Sequence, residues 1–303
     1  MPGNTGHSEY TKGMAALITS MVMWGVLPVY WKSLIPIDSW VIILYRILLV
    51  NVFALLIARS RHSWKEIFGY FAADRKTVLK LFAAGAVVTV NWSTYIWGVN
   101  AGHIIQTSIG YYIEPLVVCL FGMVIFREKL TAFKTIALLL AFAAMIIQLI
   151  HFHQIPGIAL GLASTFAVYT AIKKTVTLPP LISLVYETII FAPFAMAAIL
   201  WLETGGKGAL AAGEPYQFAL LLLCGLLTVI PLGLFSYSAQ RVPMFTLGII
   251  EYLSPTIGML LGIFAYNEPF DRVLFISFVI IWTGLVFFTV GERKELRLSG
   301  REN

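Results

Sequence analysis

Four ionisable residues stand inside long apolar runs: Arg46, Glu114, Glu187 and Glu251. A charge at the centre of a lipid-facing helix costs about 2.5–3.5 kcal/mol on insertion scales, so such groups turn toward protein or water and mark places where a solute or ion is handled. Glu114 is ten positions from the start of its run and Glu251 seven from the start of its own; at about 1.5 Å per residue both lie deep in a membrane. Glu114 is expected to bind a cationic part of a solute or a coupling proton, and Glu251 to relay that proton onward. The competing reading gives each carboxyl a structural hydrogen bond to a neighbouring helix. Arg46 matches Glu114 in depth and either pairs with it or braces helix packing, the second reading being preferred. Glu187 enters from the opposite side and is not expected to meet Arg46.

Trp24 and Trp92 fall at mid-depth, where an indole face can hold planar or cationic solutes; Asn91, Tyr111 and Tyr252 stand beside these groups in sequence and complete the candidate binding set. Trp31, Trp40 and Trp201 suit the interfacial belt. Pro28, Pro115 and Pro255 interrupt apolar runs and are the candidate hinges, since a bent helix frees carbonyls that can frame a site. Other chemistry is thinly represented. His7, His62, His103, His151 and His153 lie in loops or at run ends, and the His151/His153 pair lacks a third ligand, so no metal is expected. There is no phosphate-binding Gly-rich loop, no cofactor is expected, and Cys119 and Cys224 read as apolar packing residues.

The elements that must position these groups follow from composition. The chain has 303 residues, 59% hydrophobic and 12% charged, against about 45–50% and about 25% in soluble domains, so its solvent is lipid. Candidate spans are 14–35, 39–58, 78–99, 104–126, 133–150, 155–172, 181–202, 217–239, 244–266 and 272–290. Continuous runs near 20 residues indicate helices and not barrel strands. The first run is too long for a cleaved signal and is expected to remain as a helix. With ten spans, every Lys and Arg except Lys32, Lys207, Arg272 and the in-span Arg46 falls on the side of the two termini. That side is therefore cytoplasmic, with tails at 1–13 and 291–303, and the net charge of +6 requires no nucleic acid.

The sequence also repeats. Asn100, Pro115, Gly122 and Glu128 are matched 140 residues later by Gln240, Pro255, Gly262 and Glu268, and Tyr45-Arg46 is matched at 141 by Tyr186-Glu187. Glu128 and Glu268 read as paired helix-junction residues. Two five-helix halves, 14–150 and 155–290, follow; five is odd, so the second is inverted. The expected fold is an all-α integral membrane protein of ten transmembrane helices, and inverted repeats favour transport with the solute site between the halves.

The motifs Trp24-Gly25 through Trp31-Lys32, Asn91-Trp92 with Tyr95-Ile96-Trp97-Gly98, Ser108-Ile109-Gly110-Tyr111-Tyr112-Ile113-Glu114-Pro115, Arg127-Glu128-Lys129-Leu130, Glu187-Thr188 and Leu247-Gly248 with Tyr252 and Pro255-Thr256 combine into a pattern. It resembles the RarD-type, chloramphenicol-sensitivity branch of the drug/metabolite transporter superfamily, with two EamA-type domains, from about residue 14 to 290. The resemblance implies a bacterial inner-membrane permease with a central cavity, working as an exporter. Glu114 and Glu251 depart from it, standing where an amide is expected. The resulting expectation is a secondary transporter for a small organic metabolite or drug-like solute, coupled to protons, embedded in the bilayer as a monomer or homodimer. Uptake on the same scaffold is the alternative. An intramembrane enzyme would need a converging catalytic cluster that the scattered glutamates do not supply.

Overall fold

In hydrocarbon an unpaired backbone N–H or C=O finds no water, so each apolar run must satisfy its own hydrogen bonds as a helix. The computed structural model, which describes residues 3–101, 103–152, 157–266 and 272–299, is helical throughout, with no strand among the described residues. In chain order the helices are α1 (Gly3–Ser33), α2 (Ser39–Arg61), α3 (Trp64–Ala73), α4 (Arg75–Asn100), α5 (Ile104–Val124), α6 (Ala132–Phe152), α7 (Gly157–Lys174), α8 (Pro180–Thr188), α9 (Phe191–Thr204), α10 (Ala209–Ala212), α11 (Pro215–Leu222), α12 (Cys224–Ala239), α13 (Met244–Glu251), α14 (Leu253–Tyr266) and α15 (Arg272–Ser299). By length and apolarity six segments can cross a membrane: those within α1, α2, α6 and α15, and the joined runs Pro215–Ala239 and Met244–Tyr266. A seventh appears if α8 and α9, bent by 54° at their junction, are one span. The chain is a multi-pass membrane protein.

The polarity of the surface is inverted relative to a water-soluble protein. Leu56, Val124, Leu139, Phe194 and Phe264 are exposed, a distribution suited to lipid. The interior holds Ser20, Lys173, Thr228 and Ser236 beside Leu17, Tyr169 and Phe235. Small residues allow close approach, as expected where lipid supplies no hydrophobic driving force between helices. At Gly248 a Cβ would come within 2.6 Å of the Pro115 carbonyl and 2.8 Å of Cys119 Sγ, and at Gly85 it would overlap the carbonyl of Glu187.

The stretch between the expected spans 39–58 and 78–99 is not plain loop, for it contains α3. Ser63 caps it by accepting from the Glu66 N–H at 3.2 Å while Glu66 accepts from the Ser63 N–H at 2.7 Å, a reciprocal capping box. That backbone N–H, and then the Ser63 hydroxyl, hold the Glu66 carboxyl below its ordinary range. Trp64 and Phe68 stack at 5.8 Å and remain partly open, the aromatic face expected of a helix lying in a membrane interface. α3 is pinned to the bundle by Tyr186 of α8, whose hydroxyl donates to the Ile67 carbonyl at 2.9 Å.

The candidate hinges differ in kind. Pro28 and Pro115 lie inside α1 and α5. Pro255 is the third residue of α14, and the break falls before it at Tyr252; a proline in a first turn removes an N–H that has no helical acceptor anyway.

Candidate functional site

Arg46 is carried by α2 into the interior. Its Nε–H donates to Thr228 Oγ1 on α12 at 3.2 Å, while the Thr228 hydroxyl donates to the Cys224 carbonyl at 2.8 Å. The guanidinium lies 3.9 Å from the centre of the Trp92 ring on α4 and 5.3 Å from that of Trp31. The groups within its electrostatic reach are Cys224, Tyr111 and Tyr30, each neutral in ordinary form. No ion pair joins Arg46 to Glu114 among the described residues, so of the two sequence readings the bracing one describes its protein contacts.

Tyr111 on α5 is 43% exposed yet within reach of Arg46, Tyr95 and Glu114. The side chain is thus both open and flanked by groups from α2 and α4, so it borders accessible space beside those helices. Tyr95 meets its ring edge-on at 5.7 Å and is also partly open. Glu114, one turn along α5, is partly buried and makes no hydrogen bond to a described residue; its oxygens are not among the sealed, unpartnered atoms, so they too border accessible space. Glu251 on α13 is 4% exposed, and neither carboxyl oxygen has a partner. The two carboxyls are close enough for their charges to oppose one another. A buried carboxyl pair without donors can hold a proton, since ionising both at once is opposed by repulsion and by loss of solvation.

The remaining candidates serve helix contacts. Tyr252 is fully buried and its hydroxyl donates to the Tyr112 carbonyl at 3.0 Å, a contact that ties α13 and α14 to α5. Asn91 is buried and donates to the Leu162 carbonyl at 2.8 Å and Thr165 Oγ1 at 2.9 Å, locking α4 to α7. Trp24 packs against Phe235 at 5.4 Å and Phe166 at 6.0 Å. Of the expected set, Arg46, Trp92, Tyr111, Glu114 and Glu251 are linked as successive neighbours, and Tyr30, Trp31, Tyr95 and Thr228 join them.

Two polar centres were misread or undervalued. Lys173, counted with the basic residues beyond a span, is completely buried on α7. Its ammonium pairs with Glu187 of α8 and donates to Ser183 Oγ at 2.5 Å, while Tyr169 donates to Glu187 at 3.1 Å. Glu128 accepts from the Met244 and Phe245 N–H groups at 2.7 and 2.8 Å, so its carboxylate caps the positive end of α13; Lys174 is 3.9 Å away. Glu268 and His153 lie outside the described residues. Among the described residues no group of three or more His, Cys, Asp or Glu could hold a metal, and both cysteines are free and buried.

Two surface grooves lie elsewhere. One of about 430 Å³ runs between α14 and α15 past Thr256, Phe278 and Trp282. The other, about 420 Å³, is rimmed by Glu9, Lys174, Gln240 and Arg241. Neither is lined by Arg46 or Glu114.

An all-helical, multi-pass chain with polar groups gathered inside its bundle is the form of a membrane permease. The chain belongs to the EamA-like transporter family, whose model matches residues 11–150 and again 155–290. Its relatives put it with the RarD branch. It is 36% identical over 295 residues to "Uncharacterized transporter YojE" of Bacillus subtilis (strain 168), covering 97% of this chain and 98% of that one. It is 36% identical over 280 residues to "Protein RarD" of Streptomyces exfoliatus (91% and 88%) and 26% over 279 to "Protein RarD" of Escherichia coli (strain K12) (92% and 94%). A solved crystal structure superposes with a TM-score of 0.72 at 14% identity, covering 94% of this chain and 99% of that one, which speaks to fold alone. The protein is a membrane transporter.

Proposed function

We propose that the chain is a secondary transporter that exports a small organic solute by alternating access, in exchange for protons taken up by the Glu114–Glu251 pair. The observation that carries this reading is the pairing itself. One carboxyl, from the first half of the chain, is partly accessible; the other, from the second half, lies within its electrostatic reach and is sealed with both oxygens unpartnered. A proton arriving at Glu114 can pass to the Glu251 carboxylate, which leaves the negative charge of the pair on Glu114, the more accessible of the two.

The ten-span, two-half architecture is part of the same proposal. It is supported by the pattern of helix contacts: exchanging α1 with α7, α2 with α8–α9, α4 with α11–α12, α5 with α13–α14 and α6 with α15 carries the contact of α5 with α7 onto that of α1 with α14. The same exchange carries α4 with α7 onto α1 with α12, and α4 with α8 onto α2 with α12, while α6 with α15 and α5 with α13 map onto themselves. Tyr10 near one end of the chain donates to Glu292 near the other at 2.5 Å. That contact supports both termini lying on one face, the cytoplasmic one by the distribution of Lys and Arg, in the inner membrane of a bacterium.

Solute flux in proteoliposomes, with and without an imposed pH gradient, tests this. One relative carries the name "Chloramphenicol-sensitive protein RarD", so chloramphenicol belongs among the solutes tried. Flux is expected to follow the gradient in the wild type, and Glu114→Gln and Glu251→Gln are each expected to uncouple flux from pH. Gradient-independent flux, or full pH dependence in both amide variants, would end the proton-exchange reading.

A further inference from the structure

The guanidinium of Arg46 has five N–H donors, and one is used, by Thr228. The other four have no acceptor among the described residues, and none of their nitrogens is among the sealed, unpartnered atoms, so they border accessible space, with Tyr111 within reach. The Trp92 ring holds the guanidinium at 3.9 Å through its face, a contact that consumes none of its N–H donors. A residue used only to brace helices would spend those donors on carbonyls. Nor is the charge balanced: the groups within its reach are two phenols and a thiol. A cation held in a membrane interior without an anion is costly, and the missing anion has to come from whatever occupies the space.

We propose that Arg46 is a receptor for an oxyanion, and that the solute this transporter takes is a small monocarboxylate borne on a planar ring. A guanidinium fork matches a carboxylate bidentately. The rings of Trp31, Trp92, Tyr30 and Tyr111 near it, with Tyr95 against Tyr111, supply faces and edges for a flat body. Glu114, which like Arg46 lies within reach of Tyr111, sets itself against a second negative charge, which separates a monocarboxylate from a phosphate or a dicarboxylate. The inference rests on the transport reading for its biological meaning, but binding can be measured without flux.

The test is equilibrium dialysis of radiolabelled benzoate, and separately of benzamide, against the full-length protein in lipid nanodiscs, with retention by empty nanodiscs subtracted. Benzoate is expected to be retained and benzamide to bind at least about tenfold more weakly, the scale of a lost charge-assisted bidentate contact. Arg46→Gln is expected to erase that preference. Arg46→Lys, which keeps the charge but loses the fork, is expected to weaken benzoate by about fivefold or more. Equal retention of acid and amide by the wild type overturns the proposal whatever the variants do, and so does an undiminished preference in a folded Arg46→Gln protein. The two readings fail separately. Benzoate held by Arg46 with no flux of any solute sinks transport and spares the anion site; pH-coupled flux with no preference for acids over amides does the reverse.

Discussion

Lys173 and Glu187 meet where neither is more than 2% exposed. Breaking such a pair by removing one partner strands the other charge and costs about 3–5 kcal/mol, whereas replacing both with apolar groups of similar volume is often neutral. Lys173→Met is therefore expected to lower the unfolding temperature sharply and to reduce the folded yield. Lys173→Met combined with Glu187→Leu is expected to recover most of that loss, as followed by intrinsic fluorescence on heating in detergent. A single variant as stable as the wild type would show that the pair is not ionised. At this scale the sequence is readable where a charge interrupts an apolar run: Glu114, Glu251, Glu187 and Arg46 all announce themselves so. It is unreadable where partnership depends on helices far apart. Arg46 and Trp92 are 46 positions apart with no periodic relation, and the Tyr252 hydroxyl donates to the distant Tyr112 carbonyl. Lys173 escaped because the apolar run ends at Ile172 while α7 continues through Lys174.

Helices in this molecule are packed through a few backbone approaches that leave no room for a methyl group. Gly85→Ala forces a Cβ into the carbonyl of Glu187, an overpacking change expected to cost about 1–3 kcal/mol or more. Gly161 in α7 has nothing within 4 Å of where its Cβ would be, so Gly161→Ala is expected to gain about 0.5–1 kcal/mol from helix propensity. Opposite shifts in unfolding temperature check the pair together. For α3, Ser63→Ala removes the cap and is expected to cost about 1 kcal/mol locally, seen as faster amide exchange in α3 with α4 unchanged. The depressed Glu66 carboxyl works in the same direction: its contribution is present above the unfolded carboxylate range near 4.5 and is lost as pH falls through the lower folded value. Hydropathy located the long helices well because lipid dictates them, but it overlooked α3, whose ten residues are amphipathic, and it could not see the breaks at Tyr252 and between α8 and α9. In both places a proline, Pro255 or Pro193, is the third residue of the helix that follows.

For the molecule as a whole, polar contacts join segments far apart in the chain where Tyr10 meets Glu292. Glu128 caps α13, Arg241 donates to Glu9 at 2.7 Å, and Lys134 and Tyr10 both meet Glu292. Alternating access would have to part some of these. Glu128→Gln weakens the charge at the α13 terminus and is expected to raise labelling, from the terminal side, of a cysteine placed at Phe245, without abolishing folding. Unchanged labelling would locate the moving seam elsewhere. A cysteine at Lys12 and one at Arg293 are both expected to react only from the cytoplasm in intact cells.

The contacts of α1 have a consequence for how the protein is made. Its main partners, α12 and α14, are synthesised some two hundred residues later, so the nascent first half enters the bilayer with its packing surfaces unmatched. Either half expressed alone should be cleared by membrane proteases. The two fragments, cut between α6 and α7 and produced together in one cell, should rescue one another and accumulate as a stable complex.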